Sequence, residues 1–118
     1  MQKVNGIGGL FFRSQNPDAL GKWYQDNLGI SAMSNNEVWQ QTEGTTVFAP
    51  FDAKTDYFGQ QTQQFMVNYR VDDLDAMLVQ LANNNAKIDD ERMNDENGKF
   101  AWVYDPEGNK IELWEPTR

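Results

Sequence analysis

Two stretches of the chain carry the same alternation of apolar and polar positions, 57 residues apart. The first runs Ile7-Gly8-Gly9-Leu10-Phe11-Phe12-Arg13 and passes through Asn16-Pro17 into Asp18-Ala19-Leu20. The second runs Gln64-Phe65-Met66-Val67-Asn68-Tyr69-Arg70-Val71 and passes through Asp72-Asp73 into Leu74-Asp75-Ala76. Arg13 falls on Arg70, Phe12 on Tyr69, and Asp18-Ala19 on Asp75-Ala76, so each copy reads as a strand entering a helix. Asn16 supplies a cap and Pro17 a first-turn proline; Asp72 or Asp73 caps the second helix. Leu20, Trp23, Tyr24 and Leu28 then share one helical face, and Leu74, Met77, Leu78 and Leu81 share another.

Strand-like segments follow each helix. In the first half they are Val38–Gln41 and Thr45–Phe51 around the turn Glu43-Gly44. In the second they are Phe100–Tyr104 and Lys110–Trp114, flanking the hairpin signal Asp105-Pro106-Glu107-Gly108-Asn109. The two Glu-Gly turns are 64 residues apart, which places an insertion in the second half, and the acidic stretch 89–99 is read as that solvated loop. The pattern predicts an α+β chain of two βαβββ modules with mixed sheets and helices on one side. One domain covers 1–118, with module one at 1–56, module two at 64–118 and a linker at about 52–64 that carries Tyr57 and Phe58.

Composition narrows the chemistry. Eighteen acidic and ten basic side chains give a net charge of −8, which repels a polyanion, so no nucleic-acid partner is expected. Cysteine and histidine are both absent. That removes disulfides, thiolate nucleophiles, Zn–Cys sites, Ser-His-Asp chemistry and imidazole ligands. Met1-Gln2-Lys3-Val4-Asn5-Gly6 does not read as a signal peptide, and no apolar run approaches a membrane span. A soluble cytoplasmic protein is expected, with no membrane partner.

Alternation separates the two faces of the closing hairpin. Ala101, Val103, Ile111 and Leu113 belong under the helices; Phe100, Trp102, Tyr104, Lys110, Glu112 and Trp114 share the other face. Met66, Asn68 and Arg70 join that second face, and by the repeat so do Gly9, Phe11 and Arg13. A face that mixes a carboxylate, cations and large aromatics suits a ligand groove; the alternative is packing on another chain or sheet. Glu112 is either a base or cation-binding carboxylate, or a strand residue paired with Lys110 or Arg70. Arg13 and Arg70 either hold an anionic ligand group or bridge to acidic side chains. Trp39, Trp102, Trp114 and Tyr104 offer stacking surfaces, while Trp23 and Tyr24 belong to the core and Asp105 and Glu107 shape the turn.

The run Phe100-Ala101-Trp102-Val103-Tyr104-Asp105-Pro106-Glu107-Gly108-Asn109-Lys110-Ile111-Glu112-Leu113-Trp114 resembles the closing hairpin of the glyoxalase/bleomycin-resistance/extradiol-dioxygenase superfamily, the vicinal oxygen chelate proteins. Arg70-Val71-Asp72-Asp73-Leu74-Asp75-Ala76 resembles that family's second strand-to-helix junction, and Trp23-Tyr24 with Asn27-Leu28-Gly29-Ile30 resembles the end of its first helix. The resemblance spans nearly the whole chain. It implies paired modules closing a partial barrel around a cavity, with helices outside, and a homodimer in which some relatives build each cavity from two chains. Metal-dependent relatives hold an ion with up to four side chains, and those positions project onto Gly9, Phe48, Met66 and Glu112. Only Glu112 is a hard ligand, so no metal or other cofactor is expected.

Two functions follow. The first is a metal-independent, sequestration-type protein whose aromatic, acidic cavity binds a small molecule through Phe11, Arg13, Trp39, Phe48, Met66, Asn68, Arg70, Phe100, Trp102, Tyr104 and Trp114. The second is a lyase, isomerase or dioxygenase-type enzyme with Glu112 as catalytic base or metal anchor. A subunit that uses its face only for self-association is a third, plainer option.

Overall fold

In the computed structural model, residues 1–32 and 37–118 are described. Their elements run α1 (Pro17–Leu28), β1 (Val67–Arg70), α2 (Leu74–Asn83), β2 (Lys87–Asp95), β3 (Gly98–Tyr104) and β4 (Lys110–Pro116). The fold is α+β: one open, mixed four-stranded sheet in the order β1-β4-β3-β2, with helices packed on one face, forming a partial barrel. The second half is a complete βαβββ unit. β1 pairs parallel with β4 (Asn68 opposite Glu112, Arg70 opposite Trp114), and β3 pairs antiparallel on its other side.

Local chemistry explains both helices. The Asn16 side chain accepts from Ala19 N at 3.2 Å, Pro17 opens the first turn, and Gly29 closes α1 in the left-handed region. Asp73 caps α2 by accepting from Ala76 N at 3.0 Å. The core joins Leu20 and Tyr24 of α1 and Leu74 and Leu81 of α2 to Ala101, Val103, Ile111 and Leu113. These are the hairpin residues that alternation assigns to the helix side. Trp23 is half-buried against this cluster, edge-on to Tyr24 at 5.1 Å.

Polar contacts lock α1 onto the second half. The Tyr24 hydroxyl donates to buried Asp105 at 2.7 Å, and Asn27 accepts from Gln80 and Asn84. Glu107 does more than shape its turn. It accepts from the Ser14 hydroxyl (2.7 Å) and from Gln15 N (2.8 Å), so the β3–β4 turn grips the chain just before α1. The Ser14 bond first, then the Gln15 amide, holds the Glu107 carboxyl below its usual range.

The structure corrects two expectations. Residues 89–99 are not an inserted loop: Lys87–Asp95 forms β2, which turns at Glu96-Asn97 and pairs with β3. The acidic composition belongs to an exposed edge strand, and charge on such an edge discourages unwanted pairing. A register shift between Ile88 and Arg92 also breaks the alternation that would have revealed it. Gly98 makes the β2–β3 turn possible; its φ is +133°, and a Cβ there would lie 2.1 Å from Glu115 O. Second, Val38–Gln41, Thr45–Phe51 and the apolar run before α1 form no ladder among the described residues. Alternation predicts a face to bury but not the neighbour that covers it, and among the described residues no second sheet covers these segments.

Candidate functional site

The sheet face away from the helices is built in three rows by strand register. Tyr104 lies opposite Lys110; Trp102 opposite Glu112, which lies beside Asn68; Phe100 opposite Trp114, which lies beside Arg70. β2 adds Lys87 and Met93 at positions opposite Tyr104 and Phe100.

The middle row is the chemical centre. Glu112 is only 8 % exposed, and both carboxylate oxygens accept hydrogen bonds. Asn68 Nδ2 donates to Oε1 at 2.6 Å, Trp102 Nε1 donates to Oε2 at 3.0 Å, and the Tyr57 hydroxyl also donates to Oε2. These three neutral donors take the place of the expected Lys110 or Arg70 ion pair. Lys110 instead donates from Nζ to Tyr57 O at 2.8 Å, with its ammonium 5.2 Å from the Tyr57 ring centre and 5.7 Å from that of Trp102. Burial first, and the Glu112 hydrogen bond second, push the Tyr57 hydroxyl above its ordinary range.

The flanking rows are aromatic. Phe100 and Trp114 stack with centroids 6.0 Å apart and planes 5° from parallel, while Trp114 Nε1 donates to Asn97 O at 2.9 Å. At the other end Tyr104 donates to Asp89 at 2.8 Å, under the Lys87 ammonium 4.7 Å away. Asp89 is held below the usual carboxylate range by the Glu91 amide first and by Tyr104 second. An open groove of about 480 Å³ borders this end, walled by Gly59, Gln60, Lys87 and Tyr104. Another, of about 380 Å³, lies against α1 between Trp23 and Glu107, away from the carboxylate.

The structure therefore brings together Asn68, Arg70, Phe100, Trp102, Tyr104, Glu112 and Trp114, with Met66 half-buried just before β1. It does not bring the module-one candidates to this face. Phe11 is 93 % exposed, Phe48 is 87 % exposed, and Arg13 is exposed ahead of α1. Trp39 packs edge-on against Tyr69, whose ring also meets Tyr24 on the helix side. The Arg70 guanidinium donates to the carbonyls of Thr42 (2.9 Å) and Glu43 (3.5 Å), so it meets neither an acidic side chain nor Arg13. The same face also carries Tyr57, Asp89 and Met93, which the sequence pattern did not single out for it, beside Lys110, which it did. An aromatic pair, Tyr57-Phe58, ahead of Gly59 in a Gln/Thr-rich linker was the available signal.

These residues do not fit the family's metal. Of the projected ligand positions, Gly9, Phe48 and Met66 offer no hard donor, and the Glu112 oxygens face N–H and O–H donors where a cation would need bare lone pairs. Among the described residues no three His, Cys, Asp or Glu side chains cluster to hold an ion.

The sequence profile of the Glyoxalase/Bleomycin resistance protein/Dioxygenase superfamily matches residues 6–113, and the chain belongs to that superfamily. TnmS3, an antibiotic binding protein from Streptomyces sp. CB03234, is similar over 99% of this chain and 100% of its own, at 20% identity and a TM-score of 0.64. The trypanothione-dependent glyoxalase I of Leishmania major aligns with 88% of this chain and 81% of its own, at 20% identity and a TM-score of 0.54. A glyoxalase family protein from Bacillus cereus shares 22% identity over 54% of this chain, which spans 45% of that protein, with a TM-score of 0.43. No curated protein sequence matches the chain. At these identities the first two likenesses establish the fold. No helix among the described residues is long and apolar enough to cross a membrane.

Proposed function

We propose that this chain is a metal-independent small-molecule-binding protein that holds a flat aromatic ligand on the β1-β4-β3 face. The observation that carries the reading is Glu112, a buried acceptor set among Trp102, the Phe100–Trp114 stack and Tyr104. Aromatic walls with one or two placed polar groups are what a small-molecule site requires. The antibiotic-binding role of TnmS3 on the same fold supports this reading. The enzymatic alternative needs a proton-passing partner beside Glu112, whereas the neighbours fixed on its oxygens besides the loop tyrosine, Asn68 and Trp102, are neutral groups that do not exchange protons near neutral pH.

The working form is a homodimer. Ile7, Phe11, Phe12, Val38, Val47 and Phe48 are exposed in segments without a ladder, and the sheet order leaves the outer edge of β1 open. A second copy supplies the same apolar strands to the same open edge, a self-complementary arrangement. Phe11, Arg13 and Phe48 then line the cavity from the partner's side.

The test offers 2-naphthol and bleomycin to the purified protein while tryptophan fluorescence is followed, and separately offers methylglyoxal with a thiol, with and without divalent metal. Saturable quenching with the ligand recovered unchanged is expected. Metal-dependent consumption of the thiol adduct would overturn the binding reading.

A further inference from the structure

Tyr57 sits on the proposed face the way a ligand would. Its ring meets Trp102 edge-on with centroids 6.0 Å apart, stacks on Phe51 at 5.6 Å with planes 15° from parallel, and lies under the Lys110 ammonium. Its hydroxyl supplies a donor to Glu112. One phenol thus uses the stacking surface, the cation and the buried acceptor together. Tyr57 does not belong to the core cluster that holds the helices to the sheet, so the fold's interior does not require it.

The loop that delivers Tyr57 is fastened by a few polar contacts at one residue. The Gln63 side-chain amide imitates a strand: Nε2 donates to Lys110 O at 2.9 Å and Oε1 accepts from Lys110 N at 2.8 Å. The Lys110 ammonium holds Tyr57 O. Gly59, with φ of +85°, lets the turn run close over Lys110, where a Cβ would lie 3.4 Å from that of the lysine. Opening the loop breaks three hydrogen bonds at Lys110 together with the Tyr57 contacts to Glu112, Trp102 and Phe51, and leaves the apolar core intact.

We propose that Tyr57 is an internal occupant of a subsite for a neutral phenolic ring, and that the 52–64 loop opens so that a hydroxylated aromatic ligand takes its place against Trp102, Lys110 and Glu112. This rests on the reading of the face as a ligand site and names the ligand class. Occupation by Tyr57 makes the site self-inhibited: a ligand binds only the open fraction, and its apparent affinity falls by that fraction. Glu112 selects the hydroxyl, because a ring without a donor leaves a buried acceptor short of a partner.

The test uses p-cresol, the tyrosine side chain as a free molecule, and toluene, the same ring without the hydroxyl, titrated calorimetrically into wild type, Tyr57→Ala and Gln63→Ala. Removing the occupant is expected to tighten p-cresol binding by at least about ten-fold over wild type, because affinity tracks the open fraction. Gln63→Ala keeps every group of the subsite, loosens the loop, and is expected to fall between. Toluene is expected to bind Tyr57→Ala more weakly than p-cresol does. Equal affinity of p-cresol for all three proteins overturns the occupant role and leaves the ligand face standing. Equal affinity of toluene and p-cresol overturns selection by Glu112. No binding of either probe to any of the three overturns this inference and the ligand-face reading together.

Discussion

The two halves of this chain carry one pattern and meet different fates. From Val67 onward the pattern closes on itself: four strands, α2 and a core in which Leu81, Val103 and Leu113 are fully buried. Before Phe65, among the described residues, the same alternation yields one helix and a series of uncovered apolar side chains. The difference lies in what covers each face. In the second half β2, β3 and β4 are joined by short turns at Glu96-Asn97 and Asp105–Asn109, so each strand finds its neighbour locally. In the first half α1 packs into the second half's core through Tyr24, Asp105 and Glu107, while the 37–51 segment touches it at Trp39 against Tyr69 and at the Thr42 and Glu43 carbonyls on Arg70, with no strand ladder. A repeat in sequence thus specifies two equal surfaces without guaranteeing that one chain can bury both.

That contrast can be broken most forcefully in the core. Leu113→Ala is expected to cost about 3 kcal/mol, the usual range for emptying a fully buried leucine site, whereas Phe48→Ala in a dilute monomer stays within about 0.5 kcal/mol. Urea titrations of both variants check this, and equal losses would contradict the contrast. Next comes the link between the halves. Asp105 accepts from Tyr24 and from the amides of Glu107 and Asn109, and Asp105→Ala is expected to cost about 2 kcal/mol by stranding those donors. Loss of α1 amide protection in the same variant would show that the helix is held there.

At high pH the tyrosines report how tightly each region is packed. All four tyrosines are shifted upward, each first by burial, and Tyr69 is pushed up to about 12. A raised folded pKa means the proton is held more tightly in the native state. The stabilisation is therefore complete below the ordinary value of 10.0 and is lost as pH climbs toward about 12 for Tyr69. Ultraviolet phenolate absorbance should lag behind free tyrosine and rise together with unfolding; titration of all four near 10.0 in folded protein would contradict the burial described. The smallest effect is at the acid end. Glu107 is depressed, so its contribution is present above the ordinary 4.5 and fades as pH falls below it. Glu107→Gln should remove a shallow part of the acid slope in thermal melts and leave the alkaline limb unchanged.

Much of this was legible in the residues themselves. Ala101, Val103, Ile111 and Leu113 alternate cleanly because the hairpin has one dry face, and the Asp105–Asn109 turn fixes its register. Asn16-Pro17 and Asp72-Asp73 announce both helices through local capping chemistry, which needs no distant partner. β2 was hidden, because an edge strand with a register shift and acidic side chains looks like a loop. Tyr57 was hidden for a different reason: nothing local tells a linker aromatic which distant carboxylate it will reach. Glu107 was similar, since its bonds to Ser14 and Gln15 cross most of the chain.

In the proposed dimer the first half finds its cover in a second copy. Amide hydrogen exchange, resolved by peptide over a protein concentration series, addresses that directly. Segments 4–13 and 37–51 should gain protection as concentration rises, while 98–116 stays protected throughout. Rapid exchange in the first half at every concentration, or protection there that ignores concentration, would contradict it.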